Sequence, residues 1–376
     1  MSDDNMDVNW YWPIDGRSID LPPTPPKTQP DQPLSGWTTF GIGGPAGQFT
    51  QATSIDELVN ATRFADATNQ PLFVLSGGSN VLVGDDGFPG LVVRVANRGI
   101  KVFGGNSQTV MVQLGAGEPM DAFIAQAVED GWSGLEMLSG IPGLAGAAPV
   151  QNIGAYGAQI ADAMVAVLAW DRAESELVSL TASECRFGYR DSIFKQSRQP
   201  GQATGRHIIL AVQVRLTASP LSAPIAYGEL AEALSVQLGD QAPLADVRQA
   251  VLGLRRGKGM VVSPDDPDSH SAGSFFTNPW LSPAQAAQLP ADAPRFKQPN
   301  GDFKTSAAWL IERAGFPKGF GTGPARLSSK HTLALTNQGG ASAVDIAALA
   351  NLIVKGVNER FGVRLQPEPT LVGCEI

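Results

Sequence analysis

Cysteine is nearly absent from this 376-residue chain: Cys185 and Cys374 are the only two. There is accordingly no disulfide framework, no Cys-x-x-Cys pair and no zinc-ligand spacing. Histidine is equally scarce, and His207, His270 and His331 lie too far apart in sequence to form a metal motif, so no metal is expected. Positive charge is in deficit, with 27 Lys and Arg against 36 Asp and Glu and a formal net charge of −9. That balance argues against a nucleic-acid surface, which needs a basic stripe to displace counterions. Apolar runs fall short of the roughly 18 residues a membrane span requires. Met1-Ser-Asp-Asp-Asn has neither the basic start nor the apolar core of a signal peptide, so a cytoplasmic location is expected. No Gly-x-Gly-x-x-Gly opens a helix, which disfavours a nucleotide-binding Rossmann unit.

What the chain has in quantity is glycine, 42 residues of it. The densest small-residue stretch runs from Gly131 to Asp162 and centres on Ile141-Pro-Gly-Leu-Ala-Gly-Ala-Ala-Pro-Val-Gln-Asn-Ile-Gly-Ala-Tyr-Gly157. Glycine gives up packing area for backbone freedom, so such a stretch is poor core material. Bare backbone lets a flat ring approach, and its amides can cradle a phosphate; a structural turn cluster is the plain alternative. A second glycine turn, Ser76-Gly-Gly-Ser-Asn80, follows the short apolar strand Pro71-Leu-Phe-Val-Leu75. Gly77 and Gly78 permit close approach there, and Ser79 and Asn80 add donors suited to phosphate oxygens. Alone, this turn reads as readily as an ordinary hairpin.

The chain is long enough for two or three cores at roughly 100–200 residues per domain. Ser54-Ile-Asp-Glu57 is a capping box ahead of Leu58, Val59, Thr62 and Phe64 at helical spacing. Alternation marks strands at Val110, Val112 and Leu114, across Met164 to Ala169, and through His207 to Leu216. Later helices start at Ser282 and Ser342, and a run at Val247 to Leu254 ends in Arg255-Arg-Gly-Lys-Gly-Met260. Three shorter motifs stand out. Cys185-Arg-Phe-Gly-Tyr-Arg-Asp-Ser-Ile-Phe-Lys195 is too polar for a core strand, and its adjacent Arg190 and Asp191 read plainly as a salt bridge. Ser271-Ala-Gly-Ser-Phe-Phe-Thr-Asn-Pro279 puts a serine between a glycine and two rings, without the Gly-x-Ser-x-Gly pattern of a hydrolase. Gln366-Pro-Glu-Pro369 holds Glu368 on stiff, extended backbone.

The order of these motifs resembles the UDP-N-acetylenolpyruvoylglucosamine reductase family of peptidoglycan precursor synthesis, over about nine-tenths of the chain from Trp37 to Gly373. The resemblance rests on Ile141-Pro-Gly, Ala148-Pro-Val-Gln-Asn-Ile-Gly-Ala-Tyr-Gly157, Gly188-Tyr-Arg-Asp-Ser192, the Gly-Ser-Phe-Phe run and the terminal Pro-Glu. Trp37 to Pro45 resembles the family's opening, with Thr38 where asparagine is usual. The implied fold is α+β: an FAD-binding domain of the vanillyl-alcohol-oxidase (PCMH) type in two subdomains, plus a C-terminal α+β substrate-binding domain. The expected boundaries are a disordered or draped Pro-rich tail over 1–35, subdomain 1 over 36–76 completed by the C-terminal strand 363–376, subdomain 2 over 77–222, and the substrate domain over 223–362.

The resemblance implies an NADPH-dependent, FAD-mediated reduction of UDP-N-acetylglucosamine enolpyruvate to UDP-N-acetylmuramate, with FAD held non-covalently. It implies catalytic roles for Arg190 and Glu368 at the developing enol and for Ser274 as proton donor. Flavin contacts are expected from Ser76, Gly77, Gly78, Ser79, Asn80, Ile141, Pro142, Gly143, Gln151, Asn152, Ile153, Gly154, Ala155, Tyr156 and Gly157. Substrate contacts are expected from Tyr189, Tyr227, Lys258 and Asn278. A monomer acting on a small molecule follows, without nucleic-acid or membrane partners. Two alternatives are another flavin oxidoreductase of the same fold, such as an alcohol or sugar-lactone oxidase, and a non-catalytic nucleotide-sugar-binding homologue.

Overall fold

The computed structural model describes residues 21–376. The first twenty residues of the expected tail lie outside them. The remainder of that tail is tied down rather than loose. Thr24 and Asn60 exchange hydrogen bonds of 2.9 Å, and Gln29–Pro33 forms an edge strand antiparallel to Pro45–Ala52. An edge tolerates Pro30 and Pro33 because one row of its backbone groups needs no ladder partner. Of the two alternatives for this tail, disordered or draped, the described residues 21–33 have the contacts of a draped segment.

Two sheets build the first lobe. The smaller runs in the order Gln29–Pro33, Pro45–Ala52, Phe88–Val95, Leu72–Leu75, with its last three strands parallel. Its central strand is buried on both faces: Leu91, Val93 and Val95 join the main core, and Val92 joins a second cluster with Phe49, Phe73 and Val372. Burial on both faces explains why this segment reads as continuous apolar sequence instead of alternation. The helix Ile55–Ala67 packs on the main-core side, its Ser54 Oγ accepting from Glu57 N. Glu57 turns its own carboxylate to Thr53, so the box closes one residue earlier than the pattern suggests.

The second sheet is antiparallel, in the order Glu176–Thr181, Met164–Asp171, His207–Ala218, Thr109–Gly115, Ile100–Gly105. The helix Met120–Glu129 lays Phe123, Ile124 and Ala127 into the core beneath it. Because Phe88–Val95 hydrogen-bonds within the smaller sheet, the division between sheets falls after Val95, not at residue 76. The returning strand is Thr370–Val372, parallel to Val81–Val83. Ahead of it, the helix Ala343–Phe361 is stopped by Gly362 in the left-handed region at φ 65°, and an extended segment follows.

The region expected as one substrate domain is two packed pieces. The helices Gly228–Leu234 and Leu244–Gly257 share a small core with Met137 and Tyr156 of the first lobe, and Arg248 pairs with Asp121 at 2.6 Å. Residues from Ala272 onward form a separate core around Phe275, Phe276, Leu310, Ile346 and Ile353, which also buries Phe40, Ile42 and Leu82 of the first lobe. Among the described residues no helix is long and apolar enough to cross a membrane.

Candidate active site

A cavity of about 320 Å³ opens between the lobes. Its floor is glycine backbone. Gly77 and Gly143 stand so close that a Cβ on Gly77 would lie 2.6 Å from the Gly143 Cα. Gly78 adopts φ +63°, and a Cβ there would fall 1.9 Å from the Trp37 carbonyl oxygen. Thr39 N donates to Gly78 O, and Ser79 Oγ donates to Pro142 O at 2.9 Å, so the two glycine loops hold one another open. Ser76 Oγ is buried in this wall without a hydrogen-bond partner. Such an orphan donor, beside backbone with no side chains in the way, fits a dinucleotide whose phosphates need donors at close range.

Of the expected flavin contacts, Ser76 to Asn80, Ile141, Pro142, Gly143, Gln151, Ile153 and Gly154 line this cavity. Asn152 does not. It is buried at φ 47°, and its amide spans Gln159 Oε1 (2.8 Å), Gly188 O (3.0 Å) and Ala161 N (3.2 Å). These contacts clamp the central loop to the Arg190 turn. Ala155, Tyr156 and Gly157 point the loop's far end elsewhere: Tyr156 packs edge-on against Tyr227 at 5.6 Å, and Gly157 rests on Ala226.

Arg190 reaches the cavity from a tight turn in which Gly188 and Asp191 pair backbone to backbone. Arg190 itself sits at φ 53°, a conformation uncommon for a side-chain-bearing residue and maintained here by the turn and its neighbours. The adjacent-pair reading of its charge is overturned. Asp191 instead accepts from Ser192 N and Gln196 Nε2, while Arg190 Nε lies 3.2 Å from Glu368 Oε1 and its Nη2 donates to Gly154 O at 2.8 Å. Ser192 Oγ donates to Val150 O at 2.6 Å and caps the helix Ile193–Gln196, which fixes the turn to the glycine loop.

Glu368 and Ser274 arrive together. Glu368 N donates to Phe275 O at 2.9 Å and Thr277 N to Gln366 O at 3.1 Å, so residues 366–368 are zipped to 275–277. Pro367 and Pro369 fall between the donating positions, where a missing N–H costs nothing. Buried Phe275 and Phe276 anchor the pair edge to face at 5.2 Å. Ser274 and Glu368 both line the cavity, and among the described residues the Ser274 hydroxyl has no hydrogen-bond partner. Burial raises the Glu368 carboxyl above its ordinary range, with Arg190 and Lys195 pulling the other way. Desolvation wins here despite the ion pair, leaving a group that binds a proton more readily than a surface glutamate.

The expected substrate residues divide in two. Tyr227 and Lys258 meet around Tyr156: Lys258 Nζ stands 5.6 Å from that ring's centroid and pairs with Glu229 at 2.5 Å. Burial pushes the Tyr156 hydroxyl up to about 12. Tyr189 is near Arg190, and Lys304 Nζ lies 4.3 Å over its ring. Asn278 is engaged structurally, its Oδ1 accepting from Ala307 N at the start of the helix Ala307–Arg313. Thr38 is satisfied locally, donating to Ile42 O at 2.7 Å.

Sequence reasoning passed over Lys195, Arg198 and Arg255, which also line the cavity. Arg255 is nine-tenths buried, its Nε has no partner, and desolvation brings it down to about 10. Only the run Arg255-Arg-Gly-Lys258 hinted at it. Which member of that run turns inward depends on packing, which no spacing rule supplies.

A two-sheet lobe whose glycine loops open onto a cavity, roofed by a second α+β lobe carrying a hydroxyl and a carboxylate, defines an FAD-binding protein of the PCMH type. Residues 46–181 match the FAD binding domain family, and residues 265–372 match the family described as UDP-N-acetylenolpyruvoylglucosamine reductase, C-terminal domain. The UDP-N-acetylenolpyruvoylglucosamine reductase of Thermobifida fusca is 49% identical over 354 residues, covering 92% of this chain and 98% of that protein. The protein of the same name from Cutibacterium acnes is 46% identical over 349 residues, covering 92% and 90%. The crystal structure of the reductase from Thermus caldophilus superposes with a TM-score of 0.60 at 26% identity, covering 92% of this chain and 99% of that one. The chain belongs to the UDP-N-acetylenolpyruvoylglucosamine reductase family.

Proposed function

We propose that this protein reduces the enolpyruvyl ether of UDP-N-acetylglucosamine to UDP-N-acetylmuramate, using NADPH and non-covalent FAD, for peptidoglycan precursor synthesis. When bound, FAD supplies hydride transfer from NADPH to the substrate. The observation that carries the reading is the convergence of Arg190, Glu368 and Ser274 on a cavity floored by Gly77, Gly78 and Gly143.

Adding hydride to the methylene carbon of an enol ether conjugated to a carboxylate throws charge onto the adjoining carbon and that carboxylate. Arg190 is the cation for this charge, held in orientation by Gly154 O and Glu368. Glu368, with its raised proton affinity, stabilises the enol through a shared proton and keeps Arg190 aimed. Ser274 delivers the proton to the carbanion-like carbon. A hydroxyl is a weak acid, and it serves because its target is strongly basic and the donor is already placed. Phe275 and Phe276 exclude water behind it. Tyr227 and Lys258 grip the remote nucleotide diphosphate, whose binding energy aligns the reacting end. We place Tyr156 in that group too, because its ring faces Tyr227 and Lys258 and does not line the cavity.

As part of this reading we place the enzyme in the cytoplasm and assign it as a monomer. The test is an anaerobic spectrum. Purified protein should be yellow, bleach on adding NADPH, and regain its colour only when UDP-N-acetylglucosamine enolpyruvate follows. Bleaching without recovery would overturn the assignment in favour of a non-catalytic nucleotide-sugar-binding homologue. Recovery with an alcohol-oxidase pattern, reduction by alcohols or lactones, would favour the other flavin enzyme.

A further inference from the structure

We propose that Arg198 is the cation that neutralises the diphosphate of the bound flavin dinucleotide, an inference that rests on the FAD-dependent reading above. The Ser76–Asn80 turn offers backbone amides, hydroxyls and a side-chain amide, all of them neutral. A dinucleotide diphosphate carries two negative charges. Placing them in a largely apolar cavity without opposite charge is strongly disfavoured.

Four side chains that line the cavity carry a permanent or near-permanent positive charge: Arg190, Lys195, Arg198 and Arg255. Three are engaged away from the turn. Arg190 is paired with Glu368. Lys195 Nζ donates to Arg190 O at 3.1 Å and feels Glu368 and Asp191. Arg255 lies against Gly140 and donates to Met260 O at 2.9 Å. Arg198 is anchored at the turn itself. Its Nη1 donates to Thr370 Oγ1, and Thr370 N in turn donates to Asn80 O at 3.0 Å.

Among the described residues no carboxylate pairs with Arg198. Desolvation lowers its pKa, as expected for a half-buried cation without a counter-ion. The segment that carries it is fixed at both ends. Arg198 N donates to Lys195 O in the turn following the Ser192-capped helix, and Thr204 Oγ1 accepts from Val74 N at 2.8 Å on the strand that leads into Ser76. With one N–H spent on Thr370, the guanidinium keeps the rest of its donor fork for phosphate oxygens, in the planar geometry such oxygens favour.

The experiment is titration of flavin-stripped protein with FAD, read by quenching of flavin fluorescence at low and high salt. The proteins are wild type, Arg198→Met, Arg198→Lys and Thr370→Val. Arg198→Met should raise the FAD dissociation constant about 10- to 100-fold, the loss expected for a charge-assisted contact, and should flatten its salt dependence. Arg198→Lys, which keeps the charge and loses the planar fork, should recover only part of the affinity, and Thr370→Val, which keeps both, should change it by less than about threefold. Affinity of Arg198→Met within twofold of wild type would overturn the proposal. Equal losses in Arg198→Met and Thr370→Val would also overturn it, because Arg198 would then act only by holding the returning strand. A wild-type protein that binds no FAD would overturn the functional reading along with it, which is a distinguishable result.

Discussion

The two lobes meet the cavity with different parts of the chain. The first lobe presents a glycine-backbone floor beside the side chains of Arg190, Lys195 and Arg198, and Gly77 and Gly78 leave no room for a side chain where they meet Gly143 and Trp37. The second presents side chains, Ser274 and Glu368, on two extended segments zipped at Phe275 and Gln366. A backbone surface is sensitive to added volume and tolerant of lost chemistry. A side-chain surface behaves in the opposite way, tolerating modest changes of shape but not of function.

That contrast can be broken by substitution. The largest effect is expected on the side-chain wall: Glu368→Gln should slow reoxidation of the reduced enzyme by substrate about 10²- to 10⁴-fold while leaving reduction by NADPH nearly intact, measured by stopped-flow absorbance of each half-reaction. On the backbone wall, Gly78→Ala should destabilise the fold by about 3 kcal/mol or more and release FAD, because it adds a Cβ 1.9 Å from Trp37 O at φ +63°. Its unfolding midpoint and retained flavin check this, and a wild-type midpoint would mean that the loop adapts. Arg190→Lys should cost about 10²- to 10³-fold in the substrate half-reaction even though charge is kept, because a point charge does not reproduce the fork. A normal rate would return Arg190 to a structural role.

The smallest effect concerns pH and belongs to neither wall. Burial, with Lys258 and Lys318 adding repulsion against Glu229 and Glu312, holds His331 down at about 4. Its folded value lies below the ordinary 6.5, so between these limits the unfolded chain binds the extra proton. Stability should therefore fall as pH drops from 6.5 towards 4, by up to about 1.4 kcal/mol per pH unit from this group. The unfolding midpoint of His331→Gln, followed across that window, should slope less than that of wild type.

What could be read from the chain divides along the same line. Glycine loops were legible because conformational freedom is written into residue type, and Ser76 to Asn80 line the cavity. Helices starting at Ser54, Ser282 and Ser342 were legible because caps are local. Asn152 illustrates the limit: its amide joins the central loop to the Gly188 turn 36 positions away, a contact that spacing alone does not show. Arg190 pairs with a glutamate 178 positions away in preference to its neighbour Asp191, since the turn at φ 53° sends adjacent side chains in different directions. The edge strand at Gln29–Pro33 was hidden by prolines that disqualify a central strand but not an edge. Arg198 and Arg255 look like surface charges in sequence because the cavity they face exists only after both lobes close around it.

The most direct measurement of the central claim is single-turnover kinetics of Ser274→Ala, with flavin absorbance followed first on adding NADPH and then on adding the enolpyruvyl substrate. Convergence of the three side chains on one reacting centre predicts a first phase near the wild-type rate and a second slowed by several orders of magnitude. Two phases at wild-type rates would show that the hydroxyl is not the proton source and that these residues do not act at a common centre.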